Sequence, residues 1–163
     1  MSGNYTYCPK CGRRLVLKEV RDEGKAPYCE TCDQLYFPHF NVACSMIVRY
    51  KNEVLLIKQY NNNDYILVAG YLKQGESAEE AALRELKEEV NLEGKVTRIL
   101  KTKYFLKSNT LMINILVDVK SKEVKTNYEV DNYTWFSFDD ALKNIKPNSL
   151  AKEFYLNFYN NYR

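Results

Sequence analysis

GYLKQGESAEEAALRELKEEVNL, residues 70–92, sets six glutamates against three basic residues. Its second half reads as a helix. Ser77 is a good N-cap, and Glu79 and Glu80 fall in the first turn, where the helix dipole favours negative charge. Ala78 to Val90 holds neither Gly nor Pro, and Ala81, Ala82, Leu83, Leu86 and Val90 supply an apolar stripe. Asn91 stands where the helix should stop, a residue that tolerates the left-handed conformation after a helix end. The same periodicity places Glu85, Glu88 and Glu89 on one edge. Like charges so spaced repel at about 0.2–0.5 kcal/mol per pair, which a solvated helix would not accumulate for nothing. Converging carboxylates call for a cation, and an all-oxygen donor set suits Mg²⁺ or Mn²⁺, with Mg²⁺ commonly bridging to substrate phosphates. Arg84 lies four residues before Glu88, within reach to orient it, and the loop containing Gly70 and Gly75 can fold back to bring in Glu76.

These residues resemble the Nudix box, G-x5-E-x7-R-E-U-x-E-E-x-G-U with U a bulky aliphatic residue. Gly70, Glu76, Arg84, Glu85, Leu86, Glu88, Glu89 and Leu92 fall in place, and Asn91 stands where the pattern has Gly. The resemblance covers about residues 40–150 and implies an α+β fold: a Nudix-type α/β/α sandwich with a mixed sheet. It also implies hydrolysis of nucleoside diphosphates linked to another moiety. Glu85, Glu88 and Glu89, with Glu76 as a further carboxylate, would hold Mg²⁺ or Mn²⁺, and Arg84 would serve the catalytic constellation. Glu129, in YEVDNYTWF, is a candidate extra ligand or base, because the family often supplies a carboxylate from a loop before that last strand. A different class is a non-catalytic module that senses a nucleotide or binds nucleic acid, but such sensors tend to lose the box carboxylates.

Outward from the box, NVACSMIVRY (41–50), EVLLIKQY (53–60) and YILVAG (65–70) read as strands, as do KVTRILKTKYFL (95–106), LMINILVDV (111–119) and YTWFSF (133–138). FDDALKNI and SLAKEFYLNFYNNY read as two closing helices separated by Pro147. Upstream, Cys8, Cys11, Cys29 and Cys32 follow C-x2-C-x17-C-x2-C, the spacing of a zinc ribbon. That segment has too few apolar residues to fold on burial alone, and a structural Zn²⁺ held by four thiolates would supply what the core lacks. With four cysteines present no open position is left for a catalytic water. His39 reads as a connector side chain and Cys44 as a core residue. The expected domains are a zinc ribbon over 1–38 and a Nudix domain over 39–163.

A zinc ribbon placed before a Nudix domain resembles the NADH diphosphatase branch, and FPHFNVA looks like a diverged form of that branch's Y-P-R-x-x-P-A connector. The branch's downstream S-Q-P-W-P-F-P-x-S, which shapes its nicotinamide nucleotide pocket, is replaced by TKYFLKSNTLM, and Lys73 stands where neighbours often have Glu. NAD(H), ADP-ribose and similar compounds are therefore the substrate class. Lys101 and Lys103 share a strand face and would clamp phosphates if that face borders the glutamate helix, with Tyr104 or Phe105 nearby to stack on a base. Gly70 and Tyr71, at the head of the box, join them as substrate-side candidates.

Hydrophobic residues make up 45% of the 163, enough for a globular core, so disorder is not the default. No apolar run approaches the ~18 residues of a membrane span, and the first ten residues lack a secretory pattern, so a cytoplasmic protein without membrane partners is expected. The formal charge of +3 falls to +1 once a Zn²⁺ and four thiolates add −2, so net charge gives nucleic-acid binding no support. A small-molecule nucleotide diphosphate is the expected partner, and a homodimer the expected assembly.

Overall fold

The computed structural model describes residues 5–163, and the chain divides into two compact units, one ending at Phe40 and the other running from Asn41 to Arg163. In the first, β1 (Val16–Val20), β2 (Gly24–Cys29) and β3 (Gln34–Leu35) form an antiparallel sheet in the order β1-β2-β3. The turn between β1 and β2 is a short 3₁₀ segment, Arg21–Glu23, closed by Gly24 at φ 77°. Before the sheet, Gly12 N–H donates to the Cys8 carbonyl (2.8 Å) and Cys8 N–H to that of Arg13 (2.7 Å), the tight bend that brings Cys8 and Cys11 to one point.

The second unit is built on β4 (Asn41–Tyr50). The mixed sheet continues through β5 (Glu53–Gln59), β6 (Val68–Tyr71), β7 (Gly94–Phe105), β8 (Thr110–Val119) and β9 (Val130–Ser137), in the order β7-β8-β4-β5-β9. Strand β4 pairs parallel with β8 along Asn41–Arg49; on its other side it pairs first with β6 (Ala43–Met46) and then with β5 (Val48–Tyr50). This division of one strand edge between two partners opens the sheet beside β6. The third strand starts later than its pattern suggests: Ile66 makes an isolated bridge with Ile57 and Tyr65 with Ile145, and the regular ladder begins at Val68. Strand β9 starts earlier, because β5 keeps pairing past an irregularity to the Gln59–Val130 register.

Helix α1 (Ala78–Val90) covers one face, and α2 (Phe138–Asn144) and α3 (Leu150–Asn161) cover the other. Alternation along the strands sorts the core accordingly. Cys44, Met46 and Val48 of β4 with Ile115 and Val117 of β8 meet Ala82, Leu86 and Val90 of α1. Ile47 and Leu116 meet Phe154, Tyr155 and Phe158 of α3. The result is the α/β/α sandwich expected from the box. Among the described residues no helix is long and apolar enough to cross a membrane.

Candidate active site

Helix α1 is fixed at both ends by its own sequence. Ser77 Oγ accepts from Glu80 N–H (3.2 Å) while Glu80 Oε2 accepts from Ser77 N–H (2.8 Å), a reciprocal capping box. Asn91 takes the left-handed conformation (φ 54°, ψ 30°) that Gly would otherwise supply. Two of the helix's last carbonyls are satisfied from outside: Lys125 N–H donates to Val90 O and Asn127 N–H to Glu89 O, each at 3.1 Å. The loop that carries Glu129 is thereby tied to the end of the glutamate helix.

Arg84 organises the near end of the site. Its Nε and Nη2 grip both oxygens of Glu76 (2.6 and 2.9 Å), Nη1 reaches Glu85 Oε1 (2.7 Å) and Glu88 Oε2 (3.1 Å), and Nη2 also donates to the Tyr71 carbonyl (3.0 Å). Such a fork-to-carboxylate pair fixes orientation as well as charge. The guanidinium, with help from the Lys73 N–H, holds the Glu76 carboxyl down to about 2. Glu76 thus closes the loop onto Arg84. Lys73 Nζ lies 3.5 Å from Glu88, a carboxylate half exposed to solvent.

Glu85 passes over a backbone with no side chain in the way. A Cβ built on Gly70 would sit 2.0 Å from Glu85 Cδ and 2.2 Å from its Oε1. Gly70 therefore permits a close approach: a Cβ at this position would force the Glu85 side chain to move. Glu89 is buried at 3% exposure, and its hydrogen bond is from the neutral Gln59 amide (3.1 Å). Burial, and then the negative charges of Glu85, Glu129 and Glu88, push its carboxyl up to about 8.

A cleft of about 860 Å³ gathers these groups: Gly70, Tyr71, Lys73, Arg84, Glu85, Glu88 and Glu89 with Glu129, and with Gln59, Tyr60, Asn127, Tyr128 and Met112. The cleft thus brings together Arg84, Glu85, Glu88 and Glu89 with Gly70, Tyr71 and Glu129, while Glu76 is not among its lining residues and meets it through Arg84. Lys101, Lys103, Tyr104 and Phe105 are not among the lining residues. Lys101 (3.0 Å) and Lys103 both pair with Glu153 of α3, on the sheet face opposite α1, and Tyr104 donates to Asn109. The phosphate clamp required their face to border the glutamate helix, and the strand turns it the other way. Gln59, Tyr60, Asn127 and Tyr128 escaped the sequence reading because loop and strand-end positions carry no periodicity. The burial of Glu89 had a signal: it falls three residues after Leu86 and seven after Ala82, on the apolar stripe.

The donors fit the cations expected. Three carboxylates on one helix edge, one of them buried against other negative charges with only a neutral amide for support, form an oxygen-rich site short of positive charge. In the first unit, the four cysteine sulfurs lie within 4.8 Å of one another and none is disulfide-bonded, with Cys8–Cys32 at 3.9 Å and Cys11–Cys29 at 3.6 Å. Tetrahedral Zn²⁺ with ~2.3 Å bonds sets its sulfurs about 3.8 Å apart, so the cluster fits a zinc ribbon. Tyr36 Oη lies 3.1 Å from Cys8 Sγ, a further hydrogen bond to that set. Cys44 is fully buried, its thiol pushed up to about 11 by burial, as suits an inert core residue.

Residues 38–158 match the NUDIX domain. The chain belongs to the NUDIX family. Among curated relatives, the NAD-capped RNA hydrolase NudC of Vibrio parahaemolyticus serotype O3:K6 is 29% identical over 139 residues, 83% of this chain and 52% of that protein. The NudC of Vibrio cholerae serotype O1 is 27% identical over 150 residues, 90% of this chain and 53% of its own length. The NUDIX chain thus spans about half the length of these relatives. Its fold is that of a NUDIX hydrolase crystal structure from Nitrosomonas europaea (TM-score 0.76, 17% identity, 96% of this chain and 91% of that one).

Proposed function

We propose that the chain is a Mg²⁺- or Mn²⁺-dependent hydrolase that cleaves the diphosphate linkage of a nucleoside diphosphate derivative such as NAD(H) or ADP-ribose, by water attack at one phosphorus. The observation that carries this reading is the arrangement of Glu85, Glu88 and Glu89 along one cleft wall, locked by Arg84 and Glu76. These three carboxylates, with Glu76 behind them, would hold the divalent ions, which when bound supply neutralisation of the diphosphate and a water of lowered pKa. Arg84 keeps Glu85 and Glu88 oriented, and the Glu76 pair keeps Arg84 from swinging toward the substrate. Gly70 leaves room for Glu85, and the Tyr71 wall confines the substrate. The proton of the attacking water goes to a cleft carboxylate, with Glu129 reaching in from the loop tied to α1. The bond from phosphorus to the bridging oxygen breaks as the new P–O bond forms, giving two monophosphates.

The relatives' names extend the class to NAD-capped RNA 5′ ends, which belong in the same substrate screen. The four cysteines of the 1–38 module would hold a structural Zn²⁺, and a homodimer is the assembly to look for by sedimentation. The test is turnover of NAD⁺, NADH, ADP-ribose and NAD-capped RNA with Mg²⁺ or Mn²⁺, beside Glu88→Gln and Glu89→Gln. Turnover in the wild type and its loss in both variants is the expected result. A wild type that binds these compounds but cleaves none would instead leave a nucleotide-sensing module, and variants as active as wild type would overturn the roles given to Glu88 and Glu89.

A further inference from the structure

Strand β5 ends at Gln59, and the chain turns back through Tyr60 and Asn61, both at φ 56°, with Asn62 N–H donating to the Gln59 carbonyl (3.0 Å). Positive φ at both central positions is the requirement of a type I′ turn, which selects Asn, Gly and Asp. Asn61 obeys that rule. Tyr60 does not: a bulky side chain in the left-handed region is a strained exception. The surroundings hold it there, since Asn61 N–H bonds the Asp131 carboxylate (2.6 Å) and Gln59 is paired to Val130 of β9.

An asparagine at position 60 would make the same turn with less strain, so the turn does not explain the tyrosine. Nor does packing, because Tyr60 is 70% exposed. What the strained backbone does achieve is to put an aromatic ring into the wall of the cleft. A second ring, Tyr128, lines the same cleft at 91% exposure, carried by the loop that Asn127 ties to the Glu89 carbonyl. Both rings therefore belong to the end of the cleft at Glu89 and Glu129, one helical turn beyond Arg84 and Glu85. Two exposed tyrosines on separate loops, each with a side-chain hydrogen bond to Glu129, stand beside the row of carboxylates, and an exposed aromatic face accepts any flat ring.

We propose that Tyr60 and Tyr128 bind, by stacking, the planar heterocycle at one end of the substrate: a nucleobase or a pyridine ring joined through its sugar to the diphosphate. The proposal rests on the diphosphatase reading above and names the part of the substrate at the Glu129 end.

The test is calorimetric titration of the full chain with AMP, nicotinamide mononucleotide and inorganic diphosphate, all with Mg²⁺. Tyr60→Leu and Tyr128→Leu should each weaken AMP or nicotinamide mononucleotide by about 5- to 100-fold, the range of a lost base–aromatic stack, and leave inorganic diphosphate unchanged. The compound that weakens tells whether adenine or the pyridine ring occupies the site. Tyr60→Phe and Tyr128→Phe should bind as wild type, because the ring is kept. Tyr60→Asn should raise Tm by relieving the turn while weakening the same nucleotide. The inference is overturned if wild type binds neither mononucleotide, if the Leu variants bind both as wild type does, or if the Phe variants lose as much as the Leu variants. It also falls if Tyr60→Asn lowers Tm without changing affinity. Ring binding without hydrolysis of any diphosphate would sink the diphosphatase reading and leave this site standing.

Discussion

Gly70→Ala isolates the link between backbone shape and carboxylate position. Gly70 is not one of the positive-φ glycines (Gly12, Gly24 and Gly75), so alanine brings no conformational strain there. Its effect is steric. The new methyl would lie 2.0 Å from Glu85 Cδ and 2.4 Å from its Cγ, whereas carbon–carbon contacts settle near 3.5–4.0 Å, so the carboxylate must retreat by about 1.5 Å. A misplacement of about 1 Å in a reacting constellation can cost about 100-fold in rate. The same retreat breaks the 2.7 Å bond to Arg84. We expect kcat on NAD⁺ or ADP-ribose to fall about 100-fold or more with saturating Mn²⁺, and Mn²⁺ affinity to fall with it. Global stability should drop only by an overpacking penalty of about 1–3 kcal/mol, read by urea unfolding. Shortening the neighbour, Gly70→Ala with Glu85→Asp, should restore stability ahead of rate. Wild-type kcat and metal affinity in Gly70→Ala would refute the claim that this glycine exists to seat Glu85.

Other outcomes follow from the same geometry. Arg84→Lys keeps the charge but loses the fork on Glu76 and the simultaneous reach to Glu85 and Glu88; activity should fall about 10- to 100-fold, checked by steady-state kinetics. Glu89 has a folded pKa raised from the ordinary 4.5 to about 8, so the metal-free protein should be most stable below pH 4.5 as far as this group is concerned, and lose that contribution as pH rises through 8. Urea unfolding with and without Mg²⁺ across that window tests it, and Glu89→Gln should flatten the metal-free profile. With Glu89 as a proposed ligand, which must be ionised to bind a cation, Mg²⁺ affinity should rise with pH up to about 8, measured by calorimetry in buffers of different ionisation enthalpy. Removing zinc with a chelator should release one Zn²⁺ per chain and unfold the ribbon while the Nudix unit keeps its own unfolding transition, followed by metal analysis and circular dichroism.

The sequence carried the parts of this protein whose physics is local. The limits of α1 at Ala78 and Val90 follow from Ser77 and Asn91, and the structure closes the helix at those residues. The two C-x2-C turns bring four sulfurs together because each turn fixes its own pair. The glutamate edge is legible because one helix sets all three positions. What stayed hidden depends on strands meeting out of order. Which face of β7 borders α1 depends on its pairing with β8, including two register irregularities, so Lys101 and Lys103 could not be assigned a face from alternation alone. Gln59 supports Glu89 across 30 residues of chain, and no local pattern announces such a bond. Tyr60 is the sharpest case: its local chemistry argues against the conformation it holds, and only the closed sheet keeps it there.

The loop ahead of β9 is fastened to α1 by main-chain hydrogen bonds, from Lys125 to Val90 and from Asn127 to Glu89. Main-chain contacts are indifferent to most side chains, so selection can rewrite positions such as Lys125 and Tyr128 while the loop returns to the same place. The box carboxylates of α1 and the side chains of this loop are therefore free to evolve at different speeds. A lineage built on this loop can change what the cleft accepts one side chain at a time without retuning the glutamate helix.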